Sequence, residues 1–291
     1  SIMHRVLLPF EFFEPTTVKE VLELLDGEKT KVLAGGLDLV LDSRLRKIGL
    51  NKVISLQKIP DLDYVKYDPE NGLSFGAMAN MRQIEQFPAV KKKWQSLYEG
   101  IHSIVSVQTK IMGTAVGNIC VGTPVSDIAP PLFTLGAKVK IIGKNGEKTV
   151  AIDNFFVDLG KTILEPNEIV TEISVPEQAT GTGSAFMRLG KTAEDIAKIN
   201  AAVTVNLKDG ICQKAKIALG AVAATPIRAT EAEEAVKGLE LDDRCIEKAA
   251  EAAAERVKPI TDVRSTAQYR KEMVKVLVRD SFKLAVARAS E

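Results

Sequence analysis

Apolar and polar positions in the first part of the chain follow a strand–helix–strand order. Residues 10–15 read as an extended strand, and a capping box that begins at Thr17 precedes apolar residues at helical spacing. Residues 31–34 and 53–56 are short apolar runs of the kind found in buried strands, and residues 37–45 between them could form a helix. The pattern predicts a small α/β unit over residues 1–57.

A second pattern begins after residue 57. Short runs bounded by turn residues predict strands, and longer runs with apolar residues at helical spacing predict helices. The predicted strands are 62–67, 73–77, 137–142, 147–150 and 169–175. The predicted helices are 81–87, 90–104 and 128–135. These elements form a second subdomain over residues 58–177.

The segment 176–183 is rich in glycine, threonine and proline and is the predicted domain boundary. Beyond it, the pattern predicts three strands and three alanine-rich helices. The predicted strands are 184–189, 201–207 and 211–223, and the predicted helices are 229–237, 242–257 and 265–287. Asp209-Gly210 between the last two strands is a strong hairpin signal. Residues 178–291 are therefore expected to form a C-terminal domain.

The composition is that of a folded, soluble protein. Of the 291 residues, 45% are apolar and 26% are charged, and the formal net charge is +1. A chain of this length exceeds the usual size of a domain with a single hydrophobic core. A net charge this small provides no electrostatic field that would attract nucleic acid or an anionic membrane. No apolar segment approaches the length of a membrane span. We expect neither nucleic acid nor a membrane span.

Cysteine and histidine are scarce. The three cysteines lie far apart and the two histidines have no nearby cysteine or histidine, which disfavours a disulfide framework, a zinc site and a Ser/His/Asp triad. A reducing cytoplasm fits this usage best. Three cysteines cannot hold a four-cysteine iron–sulfur cluster, so any such cluster is expected on a partner.

Two glycine-containing stretches carry the candidate chemistry. Residues 34–38 follow a predicted buried strand, and residues 113–127 combine glycine with small hydroxyl and amide side chains. Loops of this kind expose backbone N–H groups that can wrap a pyrophosphate, and two of them could close on one diphosphate. Plain turns are the alternative. A dinucleotide-binding G-x-G-x-x-G motif is missing, and Ala185 stands where a P-loop would need glycine.

The surroundings of these stretches resemble a known family. Residues 117–119 with 124–130 look like a second FAD loop and its trailing acidic residue, and residues 32–39 look like a first FAD loop. Residues 166–170 and 194–198 are similar to further segments near the flavin. Together they resemble the flavin-binding subunit of molybdenum hydroxylases, which include xanthine dehydrogenase and aerobic carbon monoxide dehydrogenase.

The resemblance implies an α+β fold with three parts. A PCMH-type FAD-binding α/β region would span residues 1–177, with FAD in the cleft between subdomains of about 1–57 and 58–177. The C-terminal α+β domain would carry a three-stranded antiparallel sheet and a helical bundle.

The resemblance also assigns cofactor-binding residues, with no catalytic acid, base or metal ligand. Backbone amides of both loops would hold the pyrophosphate, and Thr114 and Asn118 would add side-chain hydrogen bonds. Asp127 would bind a polar part of FAD, or else cap the helix that follows. Val170 and Met187 would lie near the isoalloxazine or adenine, or else be ordinary core. The full set is Val32, Leu33, Ala34, Gly35, Gly36, Leu37, Asp38, Leu39, Thr114, Ala115, Val116, Gly117, Asn118, Asp127, Val170 and Met187.

Three positions depart from the family pattern. Val116 stands where a second glycine is usual, Leu37 where a hydroxyl or amide is common, and Met187 where lysine is common. A β-branched residue resists positive φ and a close phosphate approach. We therefore expect FAD binding that is weaker or differently hydrogen-bonded than in the family.

The implied function is that of a flavoprotein oxidoreductase subunit that relays electrons. A large subunit would oxidise substrate at a molybdopterin centre, a small subunit would carry [2Fe–2S] clusters, and FAD on this chain would reduce an acceptor such as NAD, a quinone or ferredoxin. Two alternatives remain. One is a stand-alone flavoprotein oxidase or reductase, and the other is a flavin-free scaffolding subunit.

Overall fold

A computed structural model of the chain describes residues 10–25, 29–33, 51–104, 106–122, 126–189, 199–257 and 267–291. Its helices and strands are built around two hydrophobic cores. The first core includes Phe75 and Trp94, and the second includes Phe282. No helix within these ranges is long and apolar enough to cross a membrane.

The first unit is a three-stranded parallel sheet with one described helix. Its elements are β1 (Glu11–Phe13), α1 (Val18–Leu24), β2 (Thr30–Leu33) and β3 (Lys52–Ser55). The strand order is β1-β3-β2, and β3 pairs in parallel with both neighbours. The Thr17 side chain accepts a hydrogen bond from the N–H of Glu20, as the capping signal predicts. The predicted helix over 37–45 lies outside the described residues.

The second unit is built on a five-stranded antiparallel sheet with order β4-β5-β10-β6-β7. Its strands are β4 (Val65–Asp68), β5 (Gly72–Gly76), β6 (Lys138–Gly143), β7 (Gly146–Ala151) and β10 (Glu168–Val175). Two short strands, β8 (Phe156–Asp158) and β9 (Lys161–Thr162), form a separate hairpin that the pattern did not predict. Its helices are α2 (Met81–Gln86), α3 (Pro88–Lys93), α4 (Gln95–His102), α5 (Val107–Met112), α6 (Ala115–Cys120) and α7 (Ala129–Thr134).

The single helix predicted over residues 90–104 is wrong, because the chain breaks at Trp94 between α3 and α4. Trp94 has φ −125° and ψ 62°, is fully buried, and donates its indole N–H to the Pro176 carbonyl at 3.1 Å. Placing this large side chain in the core outweighs helix continuity. Local periodicity cannot reveal such a tertiary constraint.

The C-terminal part contains a four-stranded antiparallel sheet in the order β11-β12-β13-β14. Its strands are β11 (Thr182–Arg188), β12 (Asn200–Lys208), β13 (Ile211–Gly220) and β14 (Ile227–Arg228). The three-stranded prediction therefore missed β14, which is only two residues long. It also extended β13 too far, because Ala221 turns the chain with φ +63°. The Asp209-Gly210 hairpin is confirmed, with positive φ at both residues.

Three helices follow this sheet in the chain, as predicted. They are α8 (Thr230–Val236), α9 (Asp243–Ala254) and α10 (Ala267–Ala289). Helix α10 lies very close to β11 at Gly183, where an added Cβ would stand 2.2 Å from the Ala285 carbonyl oxygen. Glycine at this position is what allows the helix to reach the sheet.

Candidate functional site

The stretch predicted as an open glycine loop instead begins as the short helix α6. The Thr114 hydroxyl accepts from the N–H of Gly117 at 2.9 Å, and the Thr114 carbonyl accepts from the N–H of Asn118 at 3.0 Å. Thr114 is therefore an N-cap residue, and its capping bonds outweigh the weak helix propensity of the glycine-containing sequence. The amide donors of this stretch are those of a helix N-terminus, and the open-loop prediction is wrong.

The Val116 amide in the first turn of α6 is the strongest sign of a ligand. Val116 is 3% exposed, and its N–H group meets no backbone acceptor within the described chain. The N–H of Ala115 instead faces the Ala79 carbonyl, because Asn80 and Thr114 form an antiparallel bridge in which Met81 donates to the Gly113 carbonyl. Buried backbone donors are almost always paired, and the first N–H groups of a helix have no partner within the helix. An oxyanion placed here would satisfy the Val116 N–H and the side-chain NH₂ group of Asn118, so the residues present fit a pyrophosphate group.

Val116 does not need the positive φ that the sequence comparison with the family predicts at this position. Its backbone is helical, and the non-glycine residues with positive φ in the described ranges are Asp61, Asp209 and Ala221. The Val116 side chain packs in the first hydrophobic core. The expectation that Val116 meets a positive-φ requirement is therefore wrong, since valine can present its N–H from a helical turn while its side chain is buried elsewhere.

Asn118 is held by Ser126, which lies beyond the end of α6. The Ser126 hydroxyl donates to Asn118 Oδ1 at 2.6 Å, and the same hydroxyl oxygen accepts from the N–H groups of Ile128 and Ala129 at 3.2 and 3.0 Å. The cap of α7 is thus supplied by Ser126, and the alternative capping role for Asp127 is wrong. The Asn118 side-chain NH₂ group has no acceptor in the part of the chain that is described.

Asp127 forms an ion pair with the C-terminal domain. Its Oδ2 lies 3.1 Å from Nη1 of Arg188, the last residue of β11, and Arg188 Nη2 also donates to the Ser103 carbonyl at 2.9 Å. Burial raises the pKa of the Asp127 carboxyl above its ordinary value, and Arg188, Ser103 and Asn200 only partly oppose this effect. Direct contact between Asp127 and FAD stays a prediction.

Asn200 is a second residue of the C-terminal sheet that contacts this segment. It is fully buried and donates from Nδ2 to the Ser126 carbonyl at 3.2 Å. It also pairs across the sheet with Arg188. Sequence reasoning assigned no role to Arg188 or Asn200, because nothing in the local pattern indicates contacts with residues more than 60 positions away.

The predicted residues around this centre lie in several elements. Leu33 is buried at the end of β2, and Val32 is half-buried in the same strand. Val170 is buried in the first core, and Met187 packs against the second core. These two placements agree with the core alternative and leave flavin contact a prediction. Ala34, Gly35, Gly36, Leu37, Asp38 and Leu39 lie outside the described residues.

The charge of Lys31, in the first sheet, acts on Cys120 at the end of α6. Burial raises the pKa of the Cys120 thiol to about 12, and the positive charge of Lys31 on β2 acts in the opposite direction. Cys120 is the last residue of α6, and Lys31 lies on β2, the strand that ends at Leu33. Strand β2 therefore lies close enough to α6 for the charge of Lys31 to act on Cys120.

A buried ion-pair cluster anchors the segment that leads into α6. Glu85 is 5% exposed and accepts from Lys110 Nζ at 2.8 Å, from Arg82 Nη1 at 2.8 Å and from His102 Nδ1 at 3.1 Å. Burial raises the pKa of the Glu85 carboxyl, but the hydrogen bonds from these three side chains outweigh it and the net pKa is lowered. Lys110 lies on α5, so the cluster fixes the helix immediately before Gly113.

Comparison with known proteins assigns both halves of the chain. Residues 8–178 match the family described as "FAD binding domain in molybdopterin dehydrogenase", and residues 184–285 match "CO dehydrogenase flavoprotein C-terminal domain". The first match alone covers more than half of the chain.

Full-length relatives agree with these assignments. The glyceraldehyde dehydrogenase medium chain of Sulfolobus acidocaldarius is 30% identical, over 94% of this chain and 97% of the relative. The carbon monoxide dehydrogenase medium chain of Afipia carboxidovorans is also 30% identical, over 96% and 98% of the two chains. A solved structure of carbon monoxide dehydrogenase from Hydrogenophaga pseudoflava matches with TM-score 0.89 and 32% identity, over 96% and 98% of the two chains. The chain therefore belongs to the molybdenum hydroxylase family as one of its FAD-binding medium subunits, a flavoprotein oxidoreductase subunit.

Proposed function

We propose that this chain is the electron-relay subunit of a molybdenum hydroxylase complex. In the proposed complex a large subunit oxidises the substrate at a molybdopterin centre, and a small subunit carries [2Fe–2S] clusters. Electrons then reach an external acceptor, such as NAD, a quinone or ferredoxin, by way of the flavin on this chain. We further propose that the complex is cytoplasmic, in keeping with the low cysteine content.

The observation that supports this proposal is the buried amide of Val116 at the start of α6, which meets no backbone acceptor among the described residues. Val116 would hold the FAD pyrophosphate, and the NH₂ group of Asn118 would add a hydrogen bond beside it. We propose that residues 34–39, which follow β2, complete the pyrophosphate site. The FAD-binding region would thus comprise residues 1–177, and residues 178–291 would form the C-terminal domain.

Bound FAD would supply the exchange of electrons between one-electron and two-electron carriers. The residues of this chain bind and orient the cofactor and exclude water from it. Thr114 shapes the first turn of α6, and Glu85 with Lys110 fixes the helix before it. We assign no described residue as a general acid or base, since we propose that the large subunit oxidises the substrate.

Purification separates this proposal from its alternatives. The isolated chain should be yellow, contain one FAD and fail to oxidise substrate, and its flavin should be reduced when the reduced small subunit is added. Substrate oxidation by the isolated chain would indicate a stand-alone enzyme instead. A colourless chain that takes up no added FAD would indicate a scaffolding subunit.

A further inference from the structure

We propose that Arg188 of the C-terminal domain is a positioning residue for the FAD site, acting through Asp127 and Ser126 on Asn118. The inference rests on the proposed function, because it requires Asn118 to donate to FAD. It assigns Asp127 to the connection between the domains. It also gives the C-terminal domain a part in cofactor binding, although its sheet lies outside the matched FAD-binding domain.

The first step of the argument is the orientation of the Asn118 amide. A serine hydroxyl has one proton and two acceptor lone pairs. Both lone pairs of Ser126 are engaged by the N–H groups of Ile128 and Ala129, so the hydroxyl is left to act as a donor. Only an oxygen can then face it, which fixes Asn118 Oδ1 toward Ser126 and directs the NH₂ group away. Ser126 therefore sets which end of Asn118 is offered to a phosphate.

The second step is the placement of Ser126 itself. Its carbonyl accepts from Asn200, whose side chain lies so close to Gly220 that a Cβ there would stand 2.5 Å from Asn200 Oδ1. The side chain of Asn200 therefore has little room to move. The hydrogen bond from Asn200 to the Ser126 carbonyl therefore connects the residues around Asn118 to the C-terminal sheet.

The third step is the ion pair beside Ser126. Arg188 binds Asp127 with one terminal nitrogen and the Ser103 carbonyl with the other, so its planar guanidinium spans two segments of the FAD-binding region. The two side chains are only 20% and 14% exposed, which limits screening by solvent. Removing Arg188 would leave a largely buried carboxylate next to Ser126, and the segment would have to shift to hydrate it.

A second ion pair across the same domain boundary provides a matched control. Arg288 on α10 lies 2.6 Å from Glu99 on α4, and the two side chains are 22% and 27% exposed. Arg288 also donates to the Ser184 carbonyl, as Arg188 does to that of Ser103. Arg288 forms these hydrogen bonds with α4 and β11 and not with Ser126 or Asn118. Replacing Arg288 should therefore weaken the contact between the domains without reorienting the Asn118 side-chain amide.

The experiment measures FAD affinity and the free energy of unfolding of the full chain, stripped of flavin and titrated with FAD. We expect Arg188→Met to weaken FAD binding about tenfold, the effect of roughly one lost hydrogen bond. Arg288→Met should lower stability by a similar amount and leave FAD affinity within about twofold, because it disturbs no donor to the cofactor. In an Asn118→Ala background, Arg188→Met should cause no further loss of affinity.

Ser126 provides an independent test if Arg188→Met does not fold. Ser126→Ala should weaken FAD binding about tenfold, because the amide loses its fixed orientation, and Ser126→Thr should restore affinity by returning the hydroxyl.

Three results would overturn the inference. One is equal weakening of FAD binding in Arg188→Met and Arg288→Met, and another is additive losses for Arg188→Met and Asn118→Ala. The third is failure of Ser126→Thr to restore affinity while the protein stays folded. If Asn118→Ala alone leaves FAD affinity unchanged, the proposed pyrophosphate site fails, and the inference fails with it.

Discussion

Arg188 Nη1 and Asp127 Oδ2 lie 3.1 Å apart. This ion pair joins the last residue of β11 to a residue that lies two positions before the start of α7. This pair connects the part of the chain that matches the FAD-binding domain to the part that matches the flavoprotein C-terminal domain. Ser184 also contacts the boundary, accepting from the N–H of Ser96 at 3.0 Å. The two family domains thus meet through specific polar contacts, some of them beside the candidate pyrophosphate site.

The first prediction concerns the pyrophosphate site directly. Asn118→Ala removes a donor, and Gly117→Asp adds a negative charge in the first turn of α6, where it would repel a phosphate. Both changes should lower the FAD content of the purified protein and leave the far-ultraviolet circular dichroism little changed. Normal FAD content in both variants would count heavily against this location.

The second prediction tests the close contact beneath Asp127. Gly100 on α4 is packed so tightly that an added Cβ would stand 2.3 Å from the Asp127 carbonyl oxygen. Gly100→Ala should displace the 126–128 segment and weaken FAD binding severalfold, because Ser126 moves with it. Gly183→Ala is the control, since its Cβ would meet the Ala285 carbonyl at 2.2 Å, between β11 and α10. It should lower the free energy of unfolding and leave FAD affinity near wild type.

The third prediction concerns Val116, which stands where the family usually has glycine. Restoring the usual glycine with Val116→Gly should not strengthen FAD binding, since the Val116 amide is already in a helical turn and the side chain packs in the core. The change should cost about 3 kcal/mol of stability, the sum of lost burial and the lower helix propensity of glycine. Denaturant unfolding and FAD titration measure the two effects. Tighter FAD binding in this variant would contradict the assignment of Val116.

The fourth prediction concerns the pH dependence of stability at Glu85. Its pKa in the folded protein is lowered, so the ionised carboxylate stabilises the fold above its unfolded pKa, and this contribution is lost as pH falls through the folded pKa. Glu85→Gln leaves Lys110 buried without its charge partner and should cost about 3–5 kcal/mol near neutral pH. The cost should shrink on acidification, as the wild-type carboxylate becomes protonated. Thermal unfolding across acidic and neutral pH measures this.

The exposed carboxylate of Glu231 supplies the control for that series. Glu231→Gln should change stability by less than about 0.5 kcal/mol at every pH, as for most surface substitutions. A Glu85→Gln cost that is the same at acidic and neutral pH would show that lost packing, and not lost charge, is responsible.

Several elements could be predicted because their signals are local. Thr17 with Glu20 marked the start of α1, and Asp209-Gly210 marked the turn between β12 and β13. The motif around Asn118 and Asp127 was specific enough to indicate the family from the amino-acid sequence alone. In each case the needed information lies within a few neighbouring residues.

The remaining features depend on contacts between distant segments. The break at Trp94 is set by a hydrogen bond to Pro176, 82 positions away. The role of Thr114 as a helix cap could not be separated from that of a loop residue, because Gly113 and Gly117 disfavour a helix whereas Ala115 favours one. The Arg188 and Asn200 contacts span 61 and 74 positions, and no periodic pattern encodes them.

A crystal structure of the FAD-loaded chain is the most direct test of the central claim that α6 holds the cofactor pyrophosphate. We predict a pyrophosphate oxygen within about 3 Å of the backbone nitrogen of Val116, with the Asn118 NH₂ group directed at the same group. A pyrophosphate bound elsewhere, with the Val116 amide facing water or a protein carbonyl, would contradict it.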